Sequence, residues 1–140
     1  MSQMPADVRA YNEKLIAEFR INGGAPDGRP LLLLNTTGAR TGLRRTTPMM
    51  YVRVGDRLLV IPANAGAPRH PDWFYNLAAD PRVIVEMEGE EFSATAHVTG
   101  GADRAELFAE IARRYPFFAE FQSRVPRQIP VVELIRAPRV

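Results

Sequence analysis

The segment Asn35-Thr36-Thr37-Gly38-Ala39-Arg40-Thr41-Gly42-Leu43-Arg44-Arg45-Thr46-Thr47-Pro48 concentrates three arginines, two glycines and five threonines between two apolar stretches. Glycines let backbone N–H groups approach an oxyanion closely, and guanidinium forks bind phosphate or carboxylate bidentately. The chemistry on offer is anion binding; the plainer reading is a solvated hairpin turn whose arginines face water. A Walker-type phosphate loop is excluded, because no G-K-[ST] follows at the required spacing. A second loop, Pro62-Ala63-Asn64-Ala65-Gly66-Ala67-Pro68-Arg69-His70-Pro71, is made of small residues that leave the backbone open to a flat ligand. It runs into Pro71-Asp72-Trp73, where a helix start offers free N–H groups and a positive dipole end. The alternative is a structural turn with Trp73 as a core anchor. A third cluster, Tyr115-Pro116-Phe117-Phe118-Ala119-Glu120-Phe121, holds four aromatics in seven residues. It reads either as core or as a hydrophobic wall over a planar substrate.

Other chemistries lack their residues. The 140-residue chain has no cysteine, which excludes disulfides, thiolate nucleophiles and Cys-ligated metals. Lys14 is the only lysine, so Schiff-base chemistry has a single candidate. His70 and His97 are isolated and form no metal-binding pattern, so no metal is expected. Ser2, Ser93 and Ser123 include no G-x-S-x-G elbow. The acidic run from Glu86 to Glu91 reads as the solvated tip of a hairpin. A net charge of +2 hides an excess of four positive charges between Leu31 and Arg57. That loop lacks interleaved aromatics, so no nucleic-acid partner is expected. With no nucleophile or redox side chain in either loop, a bound cofactor would have to carry any reaction.

The elements that must position these loops follow from periodicity. Val8, Tyr11, Leu15 and Phe19 predict a helix over Asp7–Ile21, stopped by Asn22-Gly23-Gly24. Its single apolar stripe suits packing on its own domain, with a partner or a membrane surface as alternatives. After a Gly/Pro linker to Pro30 the period changes. Leu31–Asn35 reads as a strand buried on both faces. Thr46–Val54 and Arg57–Ile61 flank a Gly55-Asp56 turn, and Arg82–Met87 and Phe92–Val98 flank Glu88–Glu91. Pro71–Ala79 reads as a short helix. A longer helix begins near Asp103, which has capping-box spacing to Glu106, and ends or kinks at Pro116. Val131–Ile135 closes the set. About six strands joined mostly by hairpins, with three helices, predict an α+β fold: a small antiparallel barrel with helices packed outside. The expected organisation is a helix and linker over 1–30 and one barrel domain over 31–140. No apolar run approaches the roughly 18 residues of a membrane span, and the start lacks signal-peptide form, so the expected location is cytoplasmic.

Thr36-Thr37-Gly38-Ala39-Arg40-Thr41-Gly42 with Pro48, then Gly66, His70-Pro71-Asp72-Trp73-Phe74-Tyr75-Asn76-Leu77, Asp80-Pro81-Arg82-Val83, Tyr115-Pro116 and Ile129-Pro130-Val131-Val132 follow one another in a specific order. Together they resemble the deazaflavin-dependent nitroreductase and quinone reductase family of actinobacteria. The resemblance implies a split β-barrel related to flavin-binding oxidases, and binding of the 8-hydroxy-5-deazaflavin coenzyme F420, with FMN as the alternative cofactor. It implies Arg40, Arg44 and Arg45 as ion partners of the anionic tail, with backbone donors in Arg40, Thr41 and Gly42 and contact at Leu43. Ala63, Asn64, Ala65 and Gly66 would lie against the ring, with Pro71 and Trp73 nearby and Pro48, Met49 and Met50 lining the hydride-transfer face. The nitroimidazole-activating branch carries tyrosines where this chain has Met50, Phe118 and Phe121, and a serine at Ala63. Those departures argue against nitroimidazole activation. A wall of Met50, Phe117, Phe118 and Phe121 implies a small planar hydride acceptor, a quinone or a conjugated lactone. Tyr115 alone remains to assist protonation. A homodimer, a peripheral membrane contact through the first helix, and a non-catalytic carrier role stay open.

Overall fold

The computed structural model describes residues 5–138. A helix, α1 (Pro5–Asn22), leads into seven strands: β1 (Leu31–Thr37), β2 (Arg44–Met50), β3 (Val52–Val54), β4 (Arg57–Val60), β5 (Arg82–Met87), β6 (Glu90–Val98) and β7 (Val132–Arg136). A 3-10 turn (Asn64–Gly66) and α2 (Asp72–Ala79) lie between β4 and β5. Between β6 and β7 stand α3 (Gly101–Arg114) and α4 (Phe117–Ser123).

All pairings are antiparallel, in the order β2-β1-β5-β6-β7-β4-β3. The two ends of that order are consecutive in the chain, with only Tyr51 between them. Residues this close in sequence span only a few ångströms, so the sheet must curl until its edges meet. The result is a split barrel with its seam at Tyr51, whose N–H donates to the Pro30 carbonyl at 3.0 Å. Alternation along the strands then builds two cores. Leu32, Leu34, Val60, Val83, Val85 and Val132 fill the barrel, together with Leu77 of α2. Leu59, Ile61, Ile129 and Val131 face outward and are covered by Leu107 and Ile111 of α3 and Phe118 of α4. The double-sided burial expected of the first strand holds: Leu32 to Thr36 are all buried. On its outer side, Glu86 stands opposite Leu33 and takes Arg20 of α1 in two bonds of 3.0 and 2.9 Å.

Several local expectations are corrected. Thr46–Val54 is two strands rather than one, because the chain turns at Tyr51 from one edge of the sheet to the other. The acidic hairpin closes through Glu88-Gly89 alone, with Glu90 and Glu91 paired in β6. Glu86 is no solvated tip: Arg20 and Asn35 hold its carboxyl below its ordinary pKa against the opposing effect of burial. The Asp103–Glu106 capping box does not form. α3 starts after Gly100 without a side-chain cap, and the Asp103 carboxylate instead receives two bonds from Arg57 at 2.9 Å each. Of the first helix, Leu15 and Phe19 are buried while Tyr11 is exposed, so its C-terminal half packs on its own domain. The side chain of Val8 lies outside the described residues.

Candidate functional site

The arginine-rich segment forms the turn between β1 and β2. Gly38 donates to the Leu43 carbonyl at 2.7 Å and Gly42 donates back to the Gly38 carbonyl at 2.8 Å. Gly42 has φ +71°, and a Cβ at Gly38 would sit 2.7 Å from the Thr41 hydroxyl. Both positions therefore require glycine for the turn itself. These bonds correct two assignments made from residue type. The Gly42 N–H closes the turn and is not free for a ligand, and Leu43 N–H points to the Thr41 hydroxyl at 3.2 Å. The Arg40 and Thr41 amides carry no acceptor among the described residues.

The three arginines of the turn divide. Arg44 Nε donates to the Asn35 side-chain amide oxygen at 3.0 Å and its guanidinium lies 3.8 Å from Glu86, in a network that also holds Thr46 and Arg20. It is tied into this network through Nε while its side chain stays half exposed, so it is less free than the ion partner expected. Arg40 and Arg45 have no acidic partner among the described residues, and both are exposed. The other two arginines of the basic stretch are also neutralised, Arg53 by Glu88 and Arg57 by Asp103 and Glu133. The local positive excess thus resolves to two guanidinium groups on one turn.

Asn76 joins this turn to α2. Its amide oxygen accepts from Ala39 N–H at 2.9 Å, and its amide nitrogen donates to the Thr36 hydroxyl at 3.2 Å. At the start of α2, Pro71 is the N-cap without a side-chain bond, and Trp73 packs half-buried on the barrel core. The anchor reading of Trp73 therefore holds. The 62–70 loop follows the same rim. Asn64, Ala65 and Gly66 all have positive φ (51°, 52° and 77°), a run that non-glycine residues rarely adopt and that clusters at functional sites. Ala63 is buried and its backbone is used internally, its N–H donating to the Ile61 carbonyl at 2.8 Å and its carbonyl accepting from Gly66 and Arg127, so the expected ring contact at Ala63 is not open. His70 stacks at 4.5 Å on Phe74, and its Nδ1 lies 2.9 Å from an Arg127 nitrogen. Arginine can only donate, so Nδ1 is the acceptor and the proton sits on Nε2. Burial and then the Arg127 charge push the His70 pKa down, which keeps the ring neutral near pH 7.

The aromatic segment closes the far side. α4 packs on the 3-10 turn so tightly that a Cβ on Gly66 would meet Phe121 Cα at 3.4 Å and Arg124 Cδ at 3.2 Å. Phe117 is 40% exposed and Phe121 half-buried, but Phe118 is 6% exposed in the outer core. Phe118 therefore supports the wall from behind and is not its surface. Tyr115 caps α3 at its C-terminus, half-buried against Phe117, with its hydroxyl unbonded among the described residues. Met50 packs with this aromatic cluster while Met49 packs into the barrel. Strand alternation thus separates two residues expected on one face; Pro48 shares the Met50 side. Contacts join these parts in series into a rim: Asn76 of α2 to the turn, His70 to Phe74 and Tyr75 of α2, and Gly66 of the left-handed loop to Phe121 of α4. Two open surface hollows, of about 190 and 400 Å³, border α1 and share no residue with this rim. Among the described residues no three His, Asp or Glu side chains stand close enough to share a metal ion, and no helix is long and apolar enough to cross a membrane.

Sequence reasoning missed Asn76, Gln122 and Arg127. Each acts through backbone carbonyls or amides brought near only by the fold, which no spacing in the chain announces.

The family model described as F420H(2)-dependent quinone reductase matches residues 10–135. An F420H(2)-dependent quinone reductase of Mycobacterium tuberculosis is 40% identical over 123 residues, covering 84% of this chain and 80% of that protein. Among solved structures, an F420-H2 dependent reductase (FDR-A) is 33% identical with a TM-score of 0.68, covering 76% of this chain and 94% of the other. A second, described as a domain-swapped dimer, is 31% identical with a TM-score of 0.71, covering 94% and 99%.

Proposed function

Since the chain belongs to the F420H(2)-dependent quinone reductase family, we propose that it is a cytoplasmic reductase using reduced F420 to reduce a quinone or another planar, electron-poor acceptor such as a conjugated lactone. The observation that carries this reading is the pair of unpartnered arginines, Arg40 and Arg45, on the same rim as the left-handed 64–66 turn and the aromatic face of α4.

The residues of the rim fit such a cofactor. A phosphate and carboxylate tail needs cations not already neutralised, and Arg40 and Arg45 meet that need, with the Arg40 and Thr41 amides as further donors. A flat ring needs backbone little obstructed by side chains; the exposed Asn64-Ala65 stretch would meet that need, while the missing side chain of Gly66 makes room for Phe121 and Arg124. When bound, the reduced deazaflavin supplies a hydride from its ring carbon to the acceptor. Met50, Phe117 and Phe121 would hold the acceptor against the ring and exclude water from the transfer face. A quinone that accepts one hydride also needs one proton to become the hydroquinone. The Tyr115 hydroxyl, free of internal bonds, stands beside Phe117 to orient the acceptor oxygen; the proton comes from it or from solvent.

Fluorescence titration of the purified protein with F420 and with FMN tests the cofactor, and micromolar FMN binding with none of F420 would overturn the assignment. Oxidation of reduced F420 with menadione, a coumarin and a nitroimidazole tests the acceptor. Turnover with the first two and little with the third is expected. Absence of turnover across the panel would make the protein a carrier.

A further inference from the structure

Arg127 lies in the segment between α4 and β7, 60 residues from the left-handed loop it contacts. Its half-buried guanidinium donates to the carbonyls of Ala67 at 3.1 Å, Pro62 at 3.3 Å and Ala63 at 2.8 Å, and to His70 Nδ1 at 2.9 Å. One planar fork thus gathers both ends of the loop that encloses Asn64–Gly66. Its own backbone is fixed from α4: the Arg127 carbonyl accepts from the Gln122 amide at 2.7 Å, and the Gln122 oxygen accepts from Ile129 N–H at 2.8 Å. The Gln122 oxygen also takes a bond from the buried Arg104 of α3.

The consequence is directional. No peptide bond among the described residues is cis, so the N–H of each such peptide points opposite its carbonyl. Holding the Ala63 carbonyl toward Arg127 turns the Asn64 N–H, which has no acceptor among the described residues, to the other side of the loop. The strained φ values at Asn64 and Ala65 persist only where the surroundings over-determine them, and Arg127 adds side-chain bonds to Pro62, Ala63 and Ala67 to the Asn64–Arg69 bond and the packing of Gly66 on α4.

We propose that Arg127 is the positioning residue of the ring-facing turn: its guanidinium fixes the 62–67 backbone and couples it, through Gln122, to the aromatic helix that walls the acceptor side. This deepens the F420 reading and rests on it for the ligand, but the clamp itself does not. Lysine cannot replace it, since one ammonium cannot span four acceptors in a plane.

The test uses Arg127→Met and Arg127→Lys in the full chain, with hydrogen exchange on the ligand-free protein and F420 titration on the same samples. The Gly66 and Ala67 amides, bonded to the Ala63 and Asn64 carbonyls, should exchange at least about tenfold faster in both variants while amides of β1 and β5 keep their wild-type rates. F420 affinity should fall by about tenfold or more, with partial recovery when millimolar guanidinium is added to Arg127→Met. Unchanged loop exchange overturns the clamp. Accelerated exchange with wild-type affinity overturns its role in positioning. A variant that exchanges faster everywhere shows Arg127 as a general stabiliser and overturns the proposal too. Failure of the wild-type chain to bind F420 defeats the cofactor reading alone, and Arg127 is then judged by exchange.

Discussion

At the scale of single residues, the three arginines of the β1–β2 turn look alike in the chain and do different work in the fold. Arg40 and Arg45 have no acidic partner among the described residues, so Arg40→Ala and Arg45→Ala should each weaken F420 binding by roughly 1.5–3 kcal/mol, the scale of charge-assisted hydrogen bonds, while leaving the melting temperature in place. Arg44→Ala should do the reverse. It breaks bonds to Asn35 and the Glu86 site, and should lower the melting temperature with affinity nearly intact. Isothermal titration beside a thermal melt separates the two patterns. His70 adds a pH dependence of definite sign. Its neutral form is the one the fold prefers, since Arg127 donates to Nδ1 and the flanking Phe74 and Tyr75 rings offer no anion to balance a second cation. With the folded pKa below the unfolded value of about 6.5, the unfolded chain binds more protons in that window. The His70 contribution is therefore complete above pH 6.5 and lost as pH falls through the lower folded value. Stability should drop on acidification below about pH 6.5, and His70→Asn, which keeps an acceptor without a titrating ring, should flatten that part of the curve.

At the scale of elements, α4 shows what periodicity conveys and what it omits. The aromatic run Phe117–Phe121 forms a fourth helix that the sequence reading, which ended or kinked α3 at Pro116, did not assign; of its two readings, core holds for Phe118, while Phe117 is left partly exposed. Phe118→Ala should cost about 3–5 kcal/mol, as for other buried aromatics, because the side chain fills the outer core. Phe117→Ala should cost little stability and instead raise KM for the acceptor, since the ring is partly exposed at the rim. Denaturant unfolding with steady-state kinetics on both variants checks the contrast. The strands were legible because half-buried antiparallel sheets alternate at period two, and β1, β4 and β5 follow that rule or its fully buried form. The break at Tyr51 was not, since it depends on which strands pair, a non-local fact. The false capping box fails for the same reason: Asp103 has the right spacing, yet Arg57 from β4 takes its carboxylate.

At the scale of the whole molecule, a net charge of +2 from 18 basic and 16 acidic side chains leaves almost no long-range field. What matters is how the fold distributes pairing. Ion pairs formed across the sheet neutralise Arg53, Arg57 and Arg136, and a partly buried network absorbs Arg20 and Arg44. The β1–β2 turn keeps two exposed cations without an acidic partner among the described residues, so under the F420 reading the salt dependence of tail binding should be carried mainly by Arg40 and Arg45. Raising ionic strength from about 0.05 to 0.5 M shortens the Debye length from roughly 14 to 4 Å, which screens an exposed cation from its ligand. Wild-type affinity for F420 should fall over that range, and Arg44→Ala should show nearly the same slope because its guanidinium is engaged by Asn35 and lies near Glu86. The double variant Arg40→Ala/Arg45→Ala should bind weakly and almost independently of salt. A double variant that keeps the full wild-type slope would place the tail elsewhere on the rim, with Arg124, exposed beside Gly66 and without an acidic partner among the described residues, as the next cation to replace.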